Sequence, residues 1–188
     1  MFLDLCNPTP QTHNAYLARV RPLLEYGSSV WDPHYQKDID QLERIQKHAA
    51  RFISGDYRST TPGSVTRLLE KCNLPPLQER RRHLRLTLFY KVVEGLVPAL
   101  PPEKFLQKQK PGRQIRTLLR PDEETSNPAN NYARHNDRPY VVHPSITEEL
   151  RHSFFPRTVV DWNRLENAVV HAGSVNSFRT LVSKTSCV

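Results

Sequence analysis

Cysteine is scarce in these 188 residues, and Cys6, Cys72 and Cys187 lie too far apart for a disulfide framework or a Cys-x-x-Cys metal knuckle; they fit free thiols in a reducing compartment. Glycine is scarce as well, with six in the chain. Neither Gly-x-x-x-x-Gly-Lys-Ser/Thr nor Gly-x-Gly-x-x-Gly occurs, so the backbone cradles that hold nucleotide phosphates are not expected. No apolar window approaches the ~20 residues that cross a bilayer. The amino terminus carries Asp4 and Pro8 where a secretory signal would have a basic flank and an apolar run, and a soluble, non-secreted chain is expected. Hydrophobic residues make up 37% and mean hydropathy is -0.63, below the usual share for a globular domain, so part of the chain is expected outside any core.

Constellations for chemistry are missing too. Two-metal nucleotidyl transfer needs carboxylates close enough to hold two ions about 4 Å apart, yet no Asp-Asp pair and no Tyr-x-Asp-Asp turn occurs. Asp38 and Asp40 form an Asp-x-Asp at a helix start, where they point to different faces and suit the helix dipole better than a metal. The eight histidines stand apart from one another and from cysteine, giving no zinc spacing. No Gly-x-Ser-x-Gly elbow or cysteine-protease signature appears. The expectation is a chain without catalytic residues, metal site or cofactor.

Proline and positive charge are plentiful. Sixteen prolines impose breaks between elements, and 27 Lys and Arg against 19 Asp and Glu give a net charge of +8, a field that favours polyanions. Thr12 is placed to cap a helix through Ala15, Leu17, Val20, Leu23 and Leu24 with a kink at Pro22. Ile39, Leu42, Ile45, Ala49, Phe52 and Ile53 recur at helical steps up to Gly55, with Leu42, Ile45, Ala49 and Phe52 as the expected seam. Ser64 starts a short helix, and Pro75-Pro76 precede another along Leu77, Leu84, Leu88 and Val92, joined by Phe89 and Tyr90 and stopped by Gly95 and Pro98. A strand-like alternation follows at 138–143. Val159, Val160, Trp162 and Leu165 then read as helix, and Ser174 caps a last one through Val175, Phe178 and Leu181.

The fold class is therefore mainly α. A helical bundle over 1–106 is followed by a flexible basic linker over 107–137 and a small, mostly helical unit over 138–188 with at most a short strand. Candidate phosphate contacts are Arg80, Arg81, Arg82 and Arg85 on the fourth helix, Arg44, Lys47 and Arg51 on the second, and Lys108, Lys110, Arg113, Arg116 and Arg120 in the linker. Tyr90, Tyr132 and Tyr140 are available for stacking on bases, although core packing is the commoner use of tyrosine. Trp31 and Trp162 read as core anchors, and Phe154-Phe155 as an apolar plug.

Five stretches in order carry a resemblance: Val20-Arg21-Pro22-Leu23-Leu24-Glu25-Tyr26-Gly27 with Val30-Trp31-Asp32-Pro33; Leu42-Glu43-Arg44-Ile45-Gln46-Lys47 with Ala49-Ala50-Arg51-Phe52; Ser64-Val65-Thr66 with Leu68-Leu69; Leu77-Gln78-Glu79-Arg80-Arg81 leading to Leu88-Phe89-Tyr90-Lys91; and Ser153-Phe154-Phe155-Pro156-Arg157-Thr158 with Asp161-Trp162-Asn163. From about Tyr16 to Leu181 the chain resembles the region after the polymerase core of jockey-like non-LTR retrotransposon reverse transcriptases. The resemblance implies a thumb-like helical segment and a carboxyl-terminal extension, with the catalytic carboxylates upstream in sequence that this chain does not contain. It also implies RNA, DNA or an RNA–DNA hybrid as partner, a palm domain as neighbour, and a nuclear setting. A reading frame that starts at Met1 just before the thumb-like helices suggests a truncated element copy, a gene-model fragment or a reused host gene. Two readings compete: a fragment without the palm that binds nucleic acid through basic helix faces, and a protein-interaction module that packs its apolar helix seam on a palm domain or another partner.

Overall fold

The computed structural model describes residues 10–59, 61–109 and 136–185. The protein is mainly helical, as its patterning predicts, and among the described residues the extended pairing is one antiparallel bridge between Lys108 and Tyr140. Two compact units divide the chain, Met1–Leu84 and Arg85–Val188. The division falls inside a helix, so 85–106, which sequence patterning groups with the first bundle, belong to the second unit. Most of the predicted linker, 110–135, lies outside the described residues, but its first residues pair with the segment just after it: Val141 N donates to Gln107 O at 2.8 Å and Gln109 N to Pro139 O at 3.0 Å.

The first unit begins with α1 (Pro10–Ala15), earlier than a Thr12 cap predicts, and continues through a π-helical turn, Tyr16–Val20, into α2 (Arg21–Glu25). Pro22 lacks an N–H, and the expected kink takes the form of this turn, in which Arg21 N donates to Tyr16 O five residues back. A left-handed Gly27 leads into α3 (Ser28–Trp31). Next come α4 (Gln36–Ser54), stopped by Gly55 in the left-handed conformation, α5 (Ser64–Lys71), and the start of α6 (Leu77–Val93). Tyr16, Ala50, Ile53, Leu68, Cys72 and Leu74 form the core.

The seam predicted on α4 is displaced. Ile39, Gln46, Ala50 and Ile53 are buried, whereas Ile45 is 42% and Phe52 60% exposed. Two stripes on α4 carry apolar residues, and a glutamine at the centre of the buried one disguises it. Gln46 is inside because its amide is satisfied there: Oε1 accepts from the Tyr16 hydroxyl at 3.0 Å, and Nε2 donates to Pro75 O at 2.8 Å. Burial pushes the Tyr16 hydroxyl up to about 12, so it stays a donor at every pH the fold would meet. Gln46→Leu keeps the volume but strands the Tyr16 hydroxyl and the Pro75 carbonyl. A loss of about 1–3 kcal/mol is expected from urea unfolding followed by circular dichroism; no change would mean that both groups find water.

Trp31, predicted as a core anchor, is 40% exposed, with its indole N–H donating to Tyr26 O. It lies along the unit's surface as a cover, and the Arg81 guanidinium is 5.9 Å from its ring centre.

The second unit takes the remainder of α6, then α7 (Pro102–Phe105), α8 (Glu148–Arg151), α9 (Phe154–Asn163), α10 (Asn167–Val170) and α11 (Val175–Lys184). Thr147 and Ser174 cap α8 and α11 by accepting from Leu150 N and Ser177 N. Trp162 is the predicted core anchor and is completely buried, 5.1 Å from Phe89 and 5.9 Å from Phe178 between ring centres; Tyr90 stacks on Phe178 at 4.4 Å. Phe154 and Phe155 pack against this core, and Phe155 stacks on Phe105 at 5.3 Å. Asn163 binds the Tyr140 backbone twice, accepting from its N–H at 3.0 Å and donating to its carbonyl at 2.8 Å.

Candidate nucleic-acid interface

The arginine band of α6 does not form a surface. Arg81 is completely buried, and its Nε donates to Asp32 Oδ1 at 2.8 Å. Arg85 is buried and ion-paired with Asp161. Arg80 is half-buried and forks onto Glu25 through Nε and Nη2. As phosphate contacts, Arg81 and Arg85 are therefore corrected: a guanidinium enclosed beside a carboxylate has its charge answered inside the unit and cannot reach a polyanion. The acids that hold these arginines sit in the stretches quoted above, Glu25 and Asp32 in the first and Asp161 in the last. Glu43 ties the second stretch to the fourth by accepting from Gln78 N at 2.8 Å.

Arg82 is half-buried on the same helix. Beside it, burial depresses the His83 imidazole below its ordinary 6.5, with Glu79 opposing and Arg82 and Arg80 assisting, so His83 adds no cation at neutral pH.

On α4 the outcome differs. Arg44 and Lys47 are exposed and Arg51 is half-buried, all turned away from the face carrying Ile39, Gln46, Ala50 and Ile53, with Lys47 at its border. Lys37 is exposed two turns before Arg44 on the same side. Among the described residues, Lys37, Arg44 and Lys47 enter no ion pair. Asp56 near the helix end is held below its ordinary value chiefly by hydrogen bonds from Ser59, with a smaller contribution from Arg51. Of the acids on α4, Asp40 accepts from Gln36 Nε2 at 2.8 Å and Glu43 faces the first residues of α6. The stripe from Lys37 to Arg51 covers about 21 Å of helix axis.

Lys108 is exposed in the second unit, at the bridge to Tyr140. Lys110, Arg113, Arg116 and Arg120 lie outside the described residues. Tyr90 and Tyr140 are buried in the second core, their hydroxyls pushed up by desolvation, so neither offers a face to a base; Tyr132 lies outside the described residues. The exposed aromatic that borders the α4 cations is Phe52, which sequence patterning places in the seam. Its position one residue past Arg51 and four past His48 was the available signal.

Among the described residues, no group of three His, Cys, Asp or Glu is placed to hold a metal ion, and no helix is long and apolar enough to cross a membrane. Cys72 is a buried free thiol, pushed up by desolvation; Cys6 and Cys187 lie outside the described residues. No protein-family model, curated protein or solved structure matches this chain.

Proposed function

We propose that the chain is a thumb-like fragment of a non-LTR retrotransposon reverse transcriptase, without the catalytic palm, that binds RNA or DNA without sequence preference through α4. The reading rests on the five resembling stretches for its origin and on one observation for its action: Lys37, Arg44, Lys47 and Arg51 share one side of a rigid helix, with no ion pair at the first three among the described residues. Cations left open on one face attract phosphates and release counterions when they bind. No catalytic residue is assigned.

The test is fluorescence anisotropy of a labelled RNA–DNA hybrid across a salt series. Affinity is expected to fall with salt, and each of Arg44→Ala, Lys47→Ala and Arg51→Ala to flatten the log–log slope by about 0.7–0.9. No binding by the folded chain, or slopes that stay the same in all three variants, would remove α4 as the contact face.

A second reading, docking of the first unit on a palm domain or other protein, is favoured by a different observation. Leu23, Tyr26, Val30 and Tyr35 are each more than half exposed along the segment from α2 to the start of α4, and apolar surface of this kind is what a protein partner would cover. Concentration-dependent association that Tyr26→Ser and Val30→Ser abolish would favour that reading.

A further inference from the structure

We infer that α4 takes a single strand in preference to a duplex, with an unpaired base packed on Phe52. This rests on the proposed polyanion reading of the same helix. On one side of α4 run the cations Lys37, Arg44, Lys47 and Arg51; on the flank next to them, seven residues apart and therefore two turns along the same line, stand Ile45 and Phe52. Phe52 is 60% exposed and Ile45 42%, on a helix whose other side supplies Ala50 and Ile53 to the core of the first unit. His48 is exposed between the two rows.

A duplex presents phosphates outward and keeps its bases stacked inside, so it would engage the cations but leave Phe52 against backbone, with nothing gained by its ring. A single strand presents both chemistries side by side. Its phosphates follow the cation row while an unstacked base lies on the phenyl face, an arrangement that tolerates any base because each has a π-face. Charge complementarity selects the occupant: a row of cations beside an apolar row repels a basic peptide, gives a neutral one no charge to pair, and matches a chain of alternating phosphate and flat ring. Three acids share the helix, Asp38, Asp40 and Glu43; Asp40 accepts from Gln36 and Glu43 from the α6 backbone, and none of the three forms an ion pair with a cation of the row among the described residues.

The closing experiment uses the full chain and three fluorescein-labelled probes of equal length: oligo-dT, oligo-rU and a blunt DNA duplex. Single-strand binding at least fivefold tighter than duplex binding is expected, with a salt slope near -3, about four phosphates at 0.7 each. Phe52→Ala should weaken the single-strand complexes about tenfold and leave duplex binding unchanged, while Phe52→Tyr restores them. Circular dichroism of Phe52→Ala, expected to match the parent because the side chain lies outside the core, guards against a folding artefact. Equal affinity for duplex and single strand, or a Phe52→Ala variant that binds like the parent, overturns the inference while leaving the electrostatic reading in place. Absence of salt-dependent binding to all three probes overturns that reading as well. The oligo-dT and oligo-rU arms separate DNA from RNA as the source of the strand.

Discussion

Asp32→Ala is expected to cost the first unit about 3–5 kcal/mol, a large share of what a unit of this size has, because it leaves the Arg81 guanidinium buried without its carboxylate. Arg81 has no exposed atoms to fall back on: the residue is at 0% exposure, and its Nη1 and Nη2 make no hydrogen bond among the described residues. Water cannot reach in to replace Asp32 without opening the contact among α3, α6 and Trp31. In urea the midpoint should drop by about 2 M for a slope of ~2 kcal/mol per molar, the middle of the typical range. The informative companion is the double variant Asp32→Leu with Arg81→Met, which removes both charges and keeps apolar volume. Buried pairs replaced in this way are often neutral in stability, so the double variant should recover most of what Asp32→Ala loses. If Asp32→Ala costs less than about 1 kcal/mol, the pair is solvated and Arg81 returns as a candidate surface cation.

The second large effect is in the other unit. Trp162→Ala should cost about 3–5 kcal/mol, since it removes the largest completely buried side chain from a cluster in which Phe89, Phe178 and Val159 surround it. The indole also makes a hydrogen bond, Nε1 to Arg138 O at 3.0 Å, which Trp162→Phe would break while keeping much of the volume. A smaller loss of about 1–2 kcal/mol is expected there. Thermal unfolding of the full chain measures both. Because Trp162 is enclosed and Trp31 is partly in water, the parent should show two tryptophan environments, and Trp162→Phe should remove the blue-shifted one. A similar, small loss for both variants would mean that the cluster closes over the gap.

Local signals in the sequence were legible where chemistry is local. Gly55 ends α4 because it can take a positive φ, Ser174 caps α11 because its hydroxyl reaches Ser177 N, and Pro75-Pro76 announce the start of α6. Trp162 as a core anchor followed from its neighbours at helical spacing. What escaped was decided by partners far away in the chain. Arg81 meets an acid 49 residues earlier and Arg85 one 76 residues later, so a contiguous run of arginines that looks like a solvated band is divided between two interiors. On α4 the seam expected from Leu42, Ile45, Ala49 and Phe52 leaves out Gln46, because a glutamine carries no apolar signal; its long-range partners Tyr16 and Pro75 make it a core residue, while Ile45 and Phe52 face out. Trp31 shows the same limit, since an aromatic can cover a buried pair without being enclosed itself. The cations of α4, by contrast, were assigned to the exposed side correctly from period alone.

Helix α6 runs unbroken across the division at Leu84 and Arg85, with 8 of its 17 residues, 77–84, in one unit and 9, 85–93, in the other. A helix of either length is shorter than the ~12–15 residues that hold together alone in water. Scissors applied at the natural-looking seam would therefore leave each half with a frayed end, and each would also lose the backbone hydrogen bonds that cross the cut. Protease nicking, recombinant truncation and shuffling of gene segments should all be punished between these two residues.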